Sequence, residues 1–222
     1  MIEFKRLKIY YKETAEFFYW SIKHKLENIL SNEHYKKYFT SHFGLDESFY
    51  YNKTVLDIGC GPRGSLEWAK QAKYRIGLDP LSSQYRKFGT NQHEMNYITS
   101  YSENLPLKDG KCDVVCSFNS LDHVYDVNQT IREIKRITSL GGLLLLIVEV
   151  NHKPRICEPH QFNPNELIDL LKPEFSIKNL NVYKPVSKSI YKSIRIDEKY
   201  ENPEIVTEKG YLSASFIRIK AS

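Results

Sequence analysis

Residues 55–64, VLDIGCGPRG, carry an apolar stretch through Asp57 straight into a turn with glycines at 59, 61 and 64. Glycine at such positions opens backbone conformations closed to other residues and lets a ligand approach without meeting a Cβ. Further on, YRIGLD ends a second apolar stretch in another carboxylate, Asp79. Two strand ends therefore present acids near one crevice. That pattern predicts an open α/β sheet whose ligand sits outside the carboxyl ends of the strands.

Charge separates the ligands that use such a crevice. A dinucleotide brings a pyrophosphate that seeks bare N–H groups at a helix N-terminus, and a carboxylate inside the glycine turn repels it. S-adenosylmethionine has no phosphate; its ammonium and sulfonium suit an acidic neighbour. The run D-x-G-C-G-P at 57–62 resembles the first signature of class I S-adenosylmethionine-dependent methyltransferases, of the methyltransferase type 11 kind and a bacterial small-molecule branch.

The resemblance covers residues from about 53 to the early 170s and implies roles along that stretch. Asp57, Gly59, Cys60 and Gly61 form the cofactor turn, Asp79 binds the ribose hydroxyls, and Pro80 and Leu81 lie against the adenine. Residues 102–124 resemble the family's adenine-side loop, fourth strand and post-strand loop. Tyr101 departs from the family, standing where many members have an aspartate, so Ser102 and Glu103 are the expected replacements at the adenine. Asn119 and Ser120 are expected at the methionine end.

The rest of the chain fits that frame. With 222 residues, 41% hydrophobic and 27% charged, it has room for one α/β domain with an appendage. A net charge of +5 permits an anionic partner, but the lysines are scattered rather than clustered, so nucleic acid is not an expected partner. Four cysteines without CxxC spacing read as reduced thiols. No apolar run approaches a membrane span or a signal peptide, and a cytoplasmic location is expected. Oligomeric state is not legible.

Residues 13–40 show helical spacing with Phe17, Phe18, Tyr19 and Trp20 consecutive. Residues 1–50 are therefore expected to form a helical cap, with Phe17 and Trp20 facing the substrate, ahead of a domain over 51–222. Strands are predicted near 54–58, 75–79, 96–99, 113–118, 143–149, 175–182 and 211–219. Helices are predicted near 64–72, 82–88, 127–139 and 164–171, the third capped by Asp126 and stopped by Gly141-Gly142, the fourth opened by Asn163-Pro164. The fold class is α/β: a doubly wound, mostly parallel seven-stranded, Rossmann-like sheet whose antiparallel last strand is implied by the resemblance. Residues 184–209 are a polar insertion, either over the substrate side or on the surface.

Methyl transfer needs alignment and exclusion of water, and a hydroxyl acceptor gains from a base. His123, in the loop after the fourth strand, matches a position that faces substrate in many relatives and is the candidate base. Glu158 and His160, in the loop after the fifth strand, are candidate substrate contacts; His152 is a weaker one. No spacing resembles a regular metal motif, and no metal site is expected. The loop SFNSLDH lacks the tetrapeptide of amino-nitrogen methyltransferases, and no Pro-Cys nucleophile is present. These features point to a small-molecule acceptor, chiefly a hydroxyl of a sugar or secondary metabolite. The alternatives are an RNA methyltransferase, a non-catalytic cofactor-binding subunit and a nucleotide-dependent oxidoreductase.

Overall fold

A computed structural model describes residues 2–155 and 157–220, with side chains described from residue 9 onward. Seven strands form one sheet: β1 Thr54–Ile58, β2 Tyr74–Leu78, β3 Asn96–Ile98, β4 Cys112–Phe118, β5 Thr138–Val150, β6 Phe175–Tyr183 and β7 Gly210–Arg218. Their order is β3-β2-β1-β4-β5-β7-β6. β7 runs antiparallel to both neighbours, and the other pairings are parallel. Strand order reverses between β1 and β4, where Ile58 lies opposite Ser117. The loops that leave these two strands therefore meet over one crevice.

The period of two in a strand sends alternate residues to opposite faces. Leu56, Val115, Leu144 and Leu146 pack on one face with α4 Val127–Ile137 and α5 Pro164–Leu171. Val55, Val114, Leu143 and Leu145 pack on the other with Tyr38 and Phe39 of α2 Lys36–Phe39. All five residues of β1 are buried, as expected for a central parallel strand covered on both sides. Asp126 caps α4 by accepting from the Gln129 N–H, and Asn163 and Glu166 form a complete capping box on α5.

Four sequence expectations differ from the structure. The helical 13–40 segment is broken: α1 spans Ile2–Glu27, the chain leaves it through Asn28 at φ +59°, and helix resumes only at α2, Lys36–Phe39. The predicted helix at 64–72 is absent: the segment makes successive three-residue turns. Tertiary contacts override propensity there, because the Glu67 carboxylate accepts the N–H groups of Glu94 and Met95 while Trp68 packs on Tyr50 and Phe39. α4 stops at Ile137, and β5 starts at Thr138, ahead of the two glycines. α3, Ser82–Tyr85, is shorter than the predicted 82–88 and continues as a 3-10 turn.

The 184–209 insertion folds into α6, Ile190–Ile196, and a short 3-10 turn at Pro203–Ile205. All four cysteines are free thiols. Among the described residues no helix is long and apolar enough to cross a membrane.

Candidate active site

The tight meeting of the β1 and β4 loops explains two of the glycines. Gly59 has φ +72°, and a Cβ there would stand 2.3 Å from Ser120 Cβ. Ser120 cannot yield easily, since its hydroxyl bonds the Ile58 carbonyl at 2.7 Å and Ser117 Oγ at 2.8 Å. Gly61, at φ +57°, would place a Cβ 3.1 Å from the Trp20 ring on α1. The crevice is thus floored by backbone and roofed by the N-terminal helix.

Asp79, at the end of β2, faces the crevice. Its carboxylate accepts the Leu81 N–H at 2.8 Å and the Gly61 N–H at 3.2 Å, and burial pushes its carboxyl up to about 7. Asp57 is placed differently from the expectation. It lies behind the glycine turn, on the wall of neither cavity, with its carboxylate taking the Ser65 hydroxyl. Burial also pushes Asp57 up to about 7, and the acids that line the first cavity are Glu13, Glu16, Asp79 and Glu103.

Two cavities adjoin. The first, about 100 Å³, is lined by Gly59, Asp79, Pro80, Leu81, Ser102, Glu103, Asn119 and Ser120, with Lys12, Glu13 and Glu16 of α1 across it. The second, about 610 Å³, is lined by Cys60, Gly61, Trp20, Glu158 and the rings of Tyr35, Phe118 and Tyr191. Tyr191 and Ser189 come from the 184–209 insertion, so that segment reaches the larger cavity. Glu16, Gly59, Asn119 and His123 line both.

Two expected substrate contacts lie elsewhere. The Phe17 ring stacks on Phe88 with centroids 5.3 Å apart, packing α1 onto the domain. His160 turns its Nε2 to the Val124 carbonyl oxygen at 2.8 Å and lines a separate groove. His152 is buried, its Nδ1 2.9 Å from the Lys153 carbonyl. Ser102 and Glu103 line the first cavity but are partly committed: Ser102 bonds Thr130 at 2.9 Å, and Glu103 accepts the N–H groups of Tyr125 and Asp126.

Sequence reasoning expected Trp20 of α1 at the site but missed the polar residues of that helix. Glu13 Oε1 accepts from the Tyr101 hydroxyl at 2.5 Å, Lys12 lies over the Tyr125 ring, and Arg63 grips Glu27 through two bonds of 2.7 Å. The Trp20 indole N–H reaches Glu16 at 3.3 Å, an i, i+4 pair that was visible in the sequence as a helical spacing. Tyr101, noted only as a departure, is where the adenine-side loop meets that helix.

His123 ends the 3-10 turn after β4, which begins once Asn119 adopts φ +53°. Its Nδ1 is 3.9 Å from Glu16 Oε2, and its Nε2 is 4.0 Å from Asp122 Oδ1 and 3.9 Å from Glu158 Oε1. Burial lowers His123 to about 4 and raises Asp122 to about 7. The imidazole is therefore neutral near pH 7, with a lone pair to offer.

Residues 56–146 match the methyltransferase domain family. Over that segment the chain is similar to S-adenosylmethionine-dependent methyltransferases. An uncharacterized methyltransferase of Mycobacterium sp. (strain JLS) is 32% identical over 95 residues, which are 42% of this chain and 38% of the relative. Norajmaline N-methyltransferase of Rauvolfia serpentina is 29% identical over 103 residues, 43% of this chain and 35% of that protein. The matched region thus spans well under half the length of these curated relatives. An S-adenosylmethionine-dependent methyltransferase from Mesorhizobium loti shares the fold, with a TM-score of 0.58 at 19% identity over 78% of this chain and 94% of that one.

The residues present fit the methyl donor of this family, S-adenosylmethionine. The Asp79 carboxylate offers acceptors for a diol, Leu78, Leu81 and Val124 offer apolar walls for a flat base, and the Gly59–Gly61 backbone is the cradle that a Cβ would fill.

Proposed function

We propose that this methyltransferase methylates a hydroxyl of a small molecule held in the larger cavity, a sugar or a secondary metabolite. One observation carries the reading: His123 lines both the donor crevice and the larger cavity, and so stands where the two reactants would meet. When bound, S-adenosylmethionine supplies a methyl carbon activated by its sulfonium. The chain's own residues do the rest.

Asp79 binds the ribose end, with Pro80, Leu81, Ser102 and Glu103 on the adenine side. Gly59, Cys60, Gly61, Asn119 and Ser120 hold the methionine end, and Asp57 fixes the turn from behind. Trp20 and Glu158 contact the acceptor. His123 is the catalytic residue that activates the hydroxyl through its neutral imidazole; the same geometry would serve an amine. Aligning nucleophile and donor is worth on the order of 7–11 kcal/mol in ideal intramolecular cases.

Residues 1–50 act as a cap on the domain over 51–222. The first cavity, about 100 Å³ with Lys12, Glu13 and Glu16 across it, is smaller than the roughly 300–1,000 Å³ of ordinary ligand pockets. α1 acts as a lid over the donor, held to the domain by the Tyr101–Glu13 and Arg63–Glu27 contacts. Trp20 emission should change as the donor product is titrated in, and constant emission would remove the cap from the mechanism.

The function itself is tested by product analysis. The chain, the donor and a panel of hydroxylated small molecules should yield an O-methylated product by mass spectrometry. Methylation of amines alone would shift the acceptor to nitrogen, and methylation of RNA alone would overturn the small-molecule reading.

A further inference from the structure

His123 and Glu158 line the larger cavity, and Asp122, buried and off its wall, stands beside His123, with no hydrogen bond among the three. One donor atom from each lies within 4.8 Å of the other two, and His123 Nε2 stands 4.0 Å from Asp122 Oδ1 and 3.9 Å from Glu158 Oε1. These gaps exceed hydrogen-bond reach, which ends at about 3.2 Å. They suit donors that share an ion, because metal bonds of about 2.0–2.2 Å set ligands roughly 3–4 Å apart.

The partners of these atoms sharpen the point. The Asp122 side chain is 1% exposed, and neither of its oxygens, nor His123 Nε2, has a hydrogen-bond partner among the described residues. Buried carboxylates are ordinarily paired or bound to metal. Glu158 gives its other oxygen to Arg155, which leaves Oε1 turned to His123. His152 adds an independent observation: it is 2% exposed, its Nδ1 is spent on the Lys153 carbonyl, and its Nε2 has no partner. It is an electrostatic neighbour of both Asp122 and His123.

We propose that Asp122, His123 and Glu158 hold a divalent cation at the wall of the acceptor cavity. Two carboxylates and one imidazole are a donor set for Mn²⁺ or Zn²⁺, and two charges of each sign balance there. Three protein ligands leave positions open for oxygens of the acceptor, which the ion would polarise. The inference rests on the acceptor-cavity reading and deepens it: with the ion bound, the His123 lone pair is spent on the metal, and His123 acts on the hydroxyl through the ion rather than as a free base. Spacing in the sequence could not reveal it, since Glu158 arrives from the loop after β5 while the other two ligands follow β4.

The test is metal binding by the full chain, stripped with EDTA and titrated with MnCl₂ under electron paramagnetic resonance, then with ZnCl₂ under calorimetry. One ion per chain is expected, with affinity lowered at least about 100-fold by Asp122→Asn and about tenfold or more by Glu158→Gln. Glu158 is on a partly exposed loop, so its variant decides the matter if the Asp122 variant does not fold. No binding of either ion to the wild-type chain, or binding unchanged by Glu158→Gln, would overturn the site. Calorimetry with S-adenosylhomocysteine on the stripped sample separates the readings: if that ligand binds and the metals do not, the metal site falls and the donor site stands.

Discussion

Gly59→Ala is expected to lower stability by about 2–5 kcal/mol and to weaken binding of S-adenosylhomocysteine. Two costs combine at this residue. A non-glycine residue at φ +72° pays roughly 1–2 kcal/mol in backbone strain, and a Cβ 2.3 Å from Ser120 Cβ forces an overpacking shift of roughly 1–3 kcal/mol. The shift falls on the Ser120 hydroxyl, which ties the β4 loop to the Ile58 carbonyl, so the floor of the donor crevice moves with it. Their sum, about 2–5 kcal/mol, is a cost to folding, present with or without the donor, and affinity falls to the extent that the displaced floor no longer fits it. Gly89→Ala is the control: its φ is +91° but nothing lies within 4 Å of the new Cβ. That variant should lose some thermal stability and keep its affinity. Calorimetric titration of both variants checks the pair, and equal affinities would show that the close approach at Gly59 does not shape the site.

The second large effect is expected at His123. His123→Ala should lower turnover by about 10²–10⁴-fold, the range typical of losing an activating side chain, while affinity for S-adenosylhomocysteine stays within a few-fold. The separation follows from position. His123 lines both cavities, whereas Asp79 and Leu81, proposed for the ribose and adenine ends, line only the first. Single-turnover rates and calorimetry on the same variant distinguish the outcomes. Normal turnover with the true acceptor would take the activating role away from this residue.

The central features of the fold were legible because they are local. The glycine turn after β1, the acid that ends β2, the N-cap at Asp126 and the capping box at Asn163 are each written in consecutive residues, and each acts over a few ångströms. The buried strand LLLLIVEV was readable for the same reason. The 64–72 helix was misread because the deciding contacts, Glu67 to the Glu94 and Met95 N–H groups and Trp68 to Tyr50, come from residues 16 or more positions away.

The site divides along the same line. Residues of the β1, β2 and β4 loops were identifiable from strand ends, and the structure puts Gly59, Asp79, Leu81, Asn119, Ser120 and His123 around one crevice. Lys12, Glu13 and Glu16 were not, because which face of α1 meets the crevice is set by Phe17 stacking on Phe88 and by the Arg63–Glu27 pair. Phe17 itself was misjudged for that reason: it anchors the helix, and Trp20 faces the cavity. His160 was read as a loop residue at the cavity mouth, yet its ring is drawn to the Val124 carbonyl.

Calorimetric titration of the wild-type chain with S-adenosylhomocysteine at pH 6 and pH 8 tests the donor assignment most directly. Asp79 carries a carboxyl pushed up to about 7 by burial, mostly protonated at the lower pH and mostly ionised at the higher, and only the ionised form accepts fully from a ribose diol. One site per chain is expected, about tenfold tighter at pH 8. No heat with S-adenosylhomocysteine at either pH, together with tight binding of NADH, would contradict the assignment.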